Sequence, residues 1–214
     1  MMNPVIGWFL GIFMAMNCYA DLSSSTLPEN VVKVTKENNS NCMVYLTYKG
    51  ELYCSLVALQ DDAASPEIVT YDKQNVHFDN RVWKPAWGQK TNAVWTVEYI
   101  PAGDNINQWN ELVTSQFLPG MEEVTPTQFK NKFVDSLNKT GVTYSINTID
   151  DQPNQLIFEF KVTVPENLQQ DEIQKITRGK DGIYVLHYAI KKTDMSKANR
   201  QKWIENIKKS SIKE

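Results

Sequence analysis

Apolar and polar positions along residues 93–100 (AVWTVEYI) sort onto two faces with the period-two spacing of a strand, and the apolar run at 182–191 (GIYVLHYAIK) reads as a second strand. In the first run Val94, Thr96 and Glu98 share one side and Trp95, Val97 and Tyr99 the other. Residues 142–149 and 155–164 read as two more strands. Asp150-Asp151-Gln152-Pro153-Asn154 between them is a run of turn formers, so a hairpin is predicted. The run CMVYLTYKGELYC (42–54) reads as strand, turn at Lys49-Gly50, strand, within a hairpin over about 41–60. Residues 31–36, 67–71 and 75–78 are shorter strand candidates. Residues 83–92 (WKPAWGQKTN) read as loop, because Pro85 and Gly88 interrupt them.

Helical spacing marks other segments. Thr125-Pro126-Thr127-Gln128 is a capping box with Pro at the first helical position. Phe129, Phe133 and Leu137 follow on one face, and Gly141 closes that helix. Ser196 caps a last helix to about residue 211, with Ala198, Trp203, Ile204 and Ile207 inward. Ile106, Trp109, Val113 and Phe117 also lie at helical spacing. They predict a helix from Asp104 or Asn105 to about residue 117, ended by Pro119-Gly120. Residues 172–178 carry both signals: Ile173 and Ile176 are three apart, yet the segment feeds a turn at 179–182. The expected class is α+β: an antiparallel sheet with helices packed against it, plus an N-terminal β-hairpin region.

The first 20 residues contain no Asp, Glu, Lys or Arg, and residues 5–16 (VIGWFLGIFMAM) are apolar throughout. That run is shorter than the ~20 residues of a membrane-spanning helix and suits the core of a secretory signal. Cys18-Tyr19-Ala20 resembles a cleavage site, so cleavage is expected between Ala20 and Asp21. Met1–Pro4 lacks the usual Lys or Arg. Two alternatives stay open: an uncleaved anchor reaching from Asn3 to Ala20, or a lipoprotein acylated at Cys18. The expected organisation is a signal peptide over 1–20, a flexible start over 21–40 and one α+β domain over 41–214. Within that domain, 41–80 is hairpin-rich and 93–211 holds the main sheet and helices.

Of three cysteines, Cys18 would leave with the signal. Cys42 and Cys54 then remain, an even number in an oxidising periplasmic or secreted setting, and a disulfide between them is expected. Hydrophobic residues make up 42% of 214, enough for one core. Lys and Arg number 22 against 25 Asp and Glu, for a net charge of -3. That balance argues against a nucleic-acid partner, whose phosphates call for clustered cations. The charge is uneven. Residues 191–214 hold eight Lys or Arg and three acids, a net +5, so the remainder carries -8. A basic helix there could touch an anionic membrane surface, or dock on the sheet with a solvated basic face.

Tyr99-Ile100-Pro101, Trp109-Asn110-Glu111-Leu112-Val113-Thr114, Arg178, Gly182-Ile183-Tyr184, Tyr188 and Trp203 occur in that order. This pattern resembles a group of small uncharacterised exported bacterial proteins of Mog1/PsbP-like shape, over about residues 93–211. The resemblance implies a fold and an envelope or secreted setting. It carries no catalytic residue.

Candidate chemistry is sparse. Only two histidines exist, and no G-x-S-x-G elbow, phosphate loop or H-E-x-x-H spacing occurs. His187 lies mid-strand between Leu186 and Tyr188 and reads as a satisfied structural histidine; His77 reads as exposed. The pairs Asp61-Asp62 and Asp150-Asp151 read as solvated turn residues. No cofactor and no metal are expected. Trp83 and Trp87 could grip a sugar, a peptide or a partner protein, or simply cover a sheet edge. The expectation is therefore a non-catalytic binding or interaction protein of the bacterial envelope, or secreted, with an unknown protein or small ligand as partner. A peripheral membrane protein using its C-terminal helix is the second reading, and a carboxylate-based hydrolase the third.

Overall fold

The computed structural model describes residues 20–21, 31–35, 44–48, 51–55 and 67–213. The described residues divide into two compact units, one within 20–55 and the other over 67–213. The first holds four short strands: β1 (Ala20–Asp21), β2 (Val31–Lys33), β3 (Val44–Tyr48) and β4 (Glu51–Ser55). Their order is β1-β3-β4-β2. Tyr48 pairs with Glu51 across β3 and β4, so these two strands form a hairpin as expected, while Lys49-Gly50 lies outside the described residues. Cys54 is fully buried. Residues 1–19 and Cys42 lie outside the described residues, and with them the signal segment and the expected Cys42–Cys54 bridge.

The second unit is built on seven strands: β6 (Trp83–Lys90), β7 (Trp95–Pro101), β8 (Glu111–Pro119), β9 (Thr143–Gln152), β10 (Gln155–Val164), β11 (Gln170–Arg178) and β12 (Gly182–Ile190). They run in the order β6-β7-β8-β12-β11-β10-β9. Every neighbouring pair is antiparallel. Helix α1 (Pro126–Thr140) carries the chain from β8, near the middle, to β9 at the far edge. Helix α2 (Lys197–Lys209) follows β12. Two short strands, β5 (Gln74–Asn75) and β13 (Ser211–Ile212), pair with each other and tie the tail down.

Each helix covers one sheet face. Leu156, Phe158, Phe160 and Val162 point to the α1 side and pack with Phe129, Phe133 and Leu137. Ile157, one residue out of phase, joins Val97, Leu186, Tyr188, Trp203 and Ile207 on the α2 side. Burying each such aromatic side chain contributes on the order of 2–3 kcal/mol. The first turn of α1 is as expected. Thr125 Oγ1 accepts from the Gln128 backbone N–H, and Gln128 Oε1 accepts from the Thr125 N–H. Gly141 ends the helix at φ 73°, a conformation glycine adopts without strain. The α+β class is therefore the observed one.

Several elements differ from expectation. No helix forms over 105–117. Residues 106–108 make one 3₁₀ turn, capped by the Asn105 side chain, and the chain then enters β8. β8 lies between β7 and β12 and is buried on both faces, so its apolar residues need not alternate. Trp109 is half-buried beneath the Lys191 ammonium, 4.4 Å from the ring centre, and anchors no helix. Residues 83–90 are a strand, not a loop. β6 is the outer strand, where Pro85 costs no ladder bond on the open side, and a bulge between Pro85 and Trp87 absorbs the irregularity. Gly88 leaves room for Ile68, whose Cγ2 would stand 2.3 Å from an added Cβ. Residues 68–71 form a 3₁₀ turn in place of the expected strand. The 172–178 ambiguity resolves to strand β11. Ala198 is exposed in the first turn of α2. The β9–β10 turn is tighter than expected, with only Pro153-Asn154 between paired residues, so Asp150 and Asp151 belong to a strand end.

Candidate functional site

Trp83 and Trp87 do not form one surface. The β6 bulge shifts the alternation, leaving Trp83 opposite Pro101 and Trp87 opposite Glu98, on different faces of the sheet. Trp83 stacks on Phe78 and meets Trp203 edge-on at 5.3 Å. Its indole N–H donates to Asp79 at 2.9 Å. Burial alone would raise the Asp79 carboxyl, but bonds from Arg81, Lys202 and Trp83 outweigh it and hold the group well below the usual range. Arg81 continues the network with paired bonds to Glu111 at 2.9 and 2.7 Å. The Tyr188 hydroxyl also donates to Glu111, at 2.7 Å. This knot fastens α2 to the sheet. Trp87 stays 40% exposed on the outer strand.

A second polar group lies on the α1 side of the central strands. His187 is buried, as expected, and both its ring nitrogens are engaged. Nδ1 lies 2.5 Å from Glu172 Oε1 and Nε2 lies 3.1 Å from Gln116 Oε1. Gln170 and Gln174 donate to the two Glu172 oxygens. Glu98, opposite Thr114 in the neighbouring strands, has its carboxyl raised to about 7 by burial. The neutral form is thus favoured in the fold. Its contribution is complete below the ordinary carboxylate value and is lost as pH rises towards 7, by up to about 3 kcal/mol. Wild-type stability should therefore fall between pH 5 and pH 8, while Glu98→Gln flattens that slope in urea unfolding. An equal slope in both proteins would rule out Glu98 as its source.

The third location is the C-terminal end of α2. Lys175, on β11, is buried, and its ammonium donates to the Ser210 carbonyl at 2.7 Å and the Ile207 carbonyl at 3.3 Å. It caps the helix end, where unpaired carbonyls gather negative charge. Burial lowers its pKa from the ordinary lysine value. Beside it opens a pocket of about 330 Å³. Gln74, Lys175 and Ser210 are its buried polar lining, Gln155 and Thr177 are half-buried, and Lys208 and Lys209 are exposed. Among the described residues, no acid lines it. Gln74 is held from beneath by Ser115 Oγ and the Val185 carbonyl, both at 3.0 Å. Asp72, buried two residues earlier, accepts from Ser115, Tyr99 and the Gln74 backbone. Burial and the nearby Asp72 push the Tyr99 phenol up.

A protein-family model matches residues 72–214. The chain belongs to that family. Its matched span opens at Asp72 and takes in the pocket lining, the sheet and both helices. No curated protein matches the chain.

Lys175 stands out only in three dimensions, whereas Lys208 and Lys209 belong to the basic segment visible in sequence. In sequence Lys175 looks like one more polar residue between Gln174 and Ile176. Its role depends on β11 facing the end of α2. The basic 191–214 segment is partly occupied within the fold. Arg200 bonds Glu159 and Asp171, while Lys202 bonds Asp79. His77 is exposed, as expected, and its backbone N–H donates to Ser210 Oγ. Asp61-Asp62 lies outside the described residues. Among the described residues, no helix is long and apolar enough to cross a membrane, and no group of three acids, histidines or cysteines is placed to hold a metal.

Proposed function

We propose that this protein is an exported, non-catalytic binding protein of the bacterial envelope, or secreted, whose ligand enters the pocket at the end of α2. The observation that carries the reading is the pocket's lining. A buried lysine, a buried amide and a buried serine are held in place by bonds to the sheet and tail, next to about 330 Å³ of open volume. Fixed polar groups beside a cavity are what small-molecule sites are made of. Export rests on the apolar run at residues 5–16, and the setting on the resemblance described above. An antiparallel sheet with one helix on each face supports a Mog1/PsbP-like shape for the family. In an oxidising compartment Cys42 and Cys54 form the one disulfide.

The test is an amide NMR titration of the full chain with pools of small polar metabolites, neutral and charged. At least one pool should shift the amides of Gln74, Lys175 and Ser210 together. If no pool moves them while the spectrum remains that of a folded protein, the pocket is not a ligand site and the reading falls.

A further inference from the structure

We infer that the pocket at the end of α2 binds a phosphate group, carried by a small phosphorylated molecule or by a phospholipid head. This rests on the binding reading above and adds the chemical class of the ligand. The first ground is charge. Three lysines, at positions 175, 208 and 209, line the pocket, and among the described residues no carboxylate does. Asp150 lies close enough to favour the Lys175 ammonium, but its two oxygens already accept from the side chains of Gln152 and Gln155, at 3.2 and 3.3 Å. Among the described residues, Lys208 and Lys209 make no ion pair, in contrast to Arg200 and Lys202 on the same helix.

The second ground is donor count. An ammonium has three N–H donors. Two of those on Lys175 go to the Ser210 and Ile207 carbonyls. The third is left for an occupant of the pocket it lines. The hydroxyls of Thr177 and Ser211 and the amide of Gln155 add neutral donors around it. Several convergent donors with compact positive charges match a tetrahedral, doubly charged oxyanion better than a flat carboxylate. The third ground is size. The volume exceeds that of a bare phosphate, so the group arrives attached to a small organic body.

The experiment uses the full chain and four probes: glycerol 3-phosphate, neutral glycerol, phosphatidylglycerol vesicles and phosphatidylcholine vesicles. Glycerol 3-phosphate should shift the Lys175 and Ser210 amides, and glycerol should not. Changing Lys208 and Lys209 to Gln should weaken that binding by about tenfold for each lysine removed. Lys197→Gln, at the opposite end of α2, should leave it unchanged. If the phosphate arrives on a lipid, the phosphatidylglycerol vesicles bind, the phosphatidylcholine vesicles do not, and the two Gln variants lose the difference. Both exposed lysines can be changed without touching the core, so a folded variant is expected. Equal binding by wild type and the Lys208→Gln, Lys209→Gln protein would overturn the inference. Glycerol binding without phosphate binding would overturn the ligand class and leave the pocket standing. Silence from all four probes at the pocket amides would overturn the phosphate assignment, whatever the metabolite pools do.

Discussion

His187→Ala should destabilise the larger unit by about 3–5 kcal/mol, because it leaves buried polar groups without their hydrogen-bond partner and opens a cavity beside them. Glu172 is only 2% exposed. In the variant its carboxylate would keep the amide donors Gln170 and Gln174 and lose the imidazole at 2.5 Å. The Gln116 carbonyl oxygen would lose a partner too. Water cannot easily replace them, because Thr114 and Gln174 beside the pair are buried as well. Urea unfolding at neutral pH measures the loss. Changing both residues together, as His187→Gln with Glu172→Gln, keeps hydrogen-bonding groups at both positions. That double variant should recover more than half of the loss. A His187→Ala cost below about 1 kcal/mol would mean that Glu172 does not depend on the imidazole.

Trp203→Ala should cost a similar 3–5 kcal/mol through the cavity it leaves. Its ring lies flat on Tyr188, with centroids 3.9 Å apart and planes within 11°, and it receives the edge of Trp83. Met195 and Ile207 complete the same cluster. Deleting the ring leaves both neighbours facing empty volume and loosens α2 where it meets the sheet. Trp203→Phe should cost clearly less. The indole N–H is buried and finds no acceptor among the described residues, so replacing the ring with phenylalanine removes a penalty along with some contact area. Thermal unfolding of the two variants would separate these terms. A phenylalanine as damaging as alanine would show that the N–H does have a partner.

The parts of the fold that were legible in sequence are those specified by local chemistry. Helix α1 announced itself because cap, proline, apolar face and closing glycine all lie within 17 residues, Thr125 to Gly141. β10 was legible because its turn formers are adjacent in the chain. The failures share a cause. Residues 111–119 carry apolar side chains on both faces because a core covers each side of the sheet, with Leu118 in one and Val113 in the other, and a strand buried on both faces can imitate helical spacing. Ile173 and Ile176 show the same effect. Three apart, they would share a helix face, but on β11 they enter opposite cores. Pro85 and Gly88 looked like loop residues because outer-strand status depends on pairing that forms far along the chain. The candidate sites were less legible still. The pocket joins Gln74, Lys175 and Lys208, residues brought together by topology alone. The bulge that separates Trp83 from Trp87 likewise leaves no local mark.

The strand order has a consequence for how the chain is made. β12, ending at Ile190, is the bridge between β6-β7-β8 on one side and β11-β10-β9 on the other. Without β12, neither three-stranded set has the neighbour that pairs its inner edge in the finished sheet. Their union waits for pairings such as Gly182 with Pro119 and Ile190 with Glu111. Completion of this sheet therefore requires nearly the whole length of the chain, and its decisive contacts are distant in sequence.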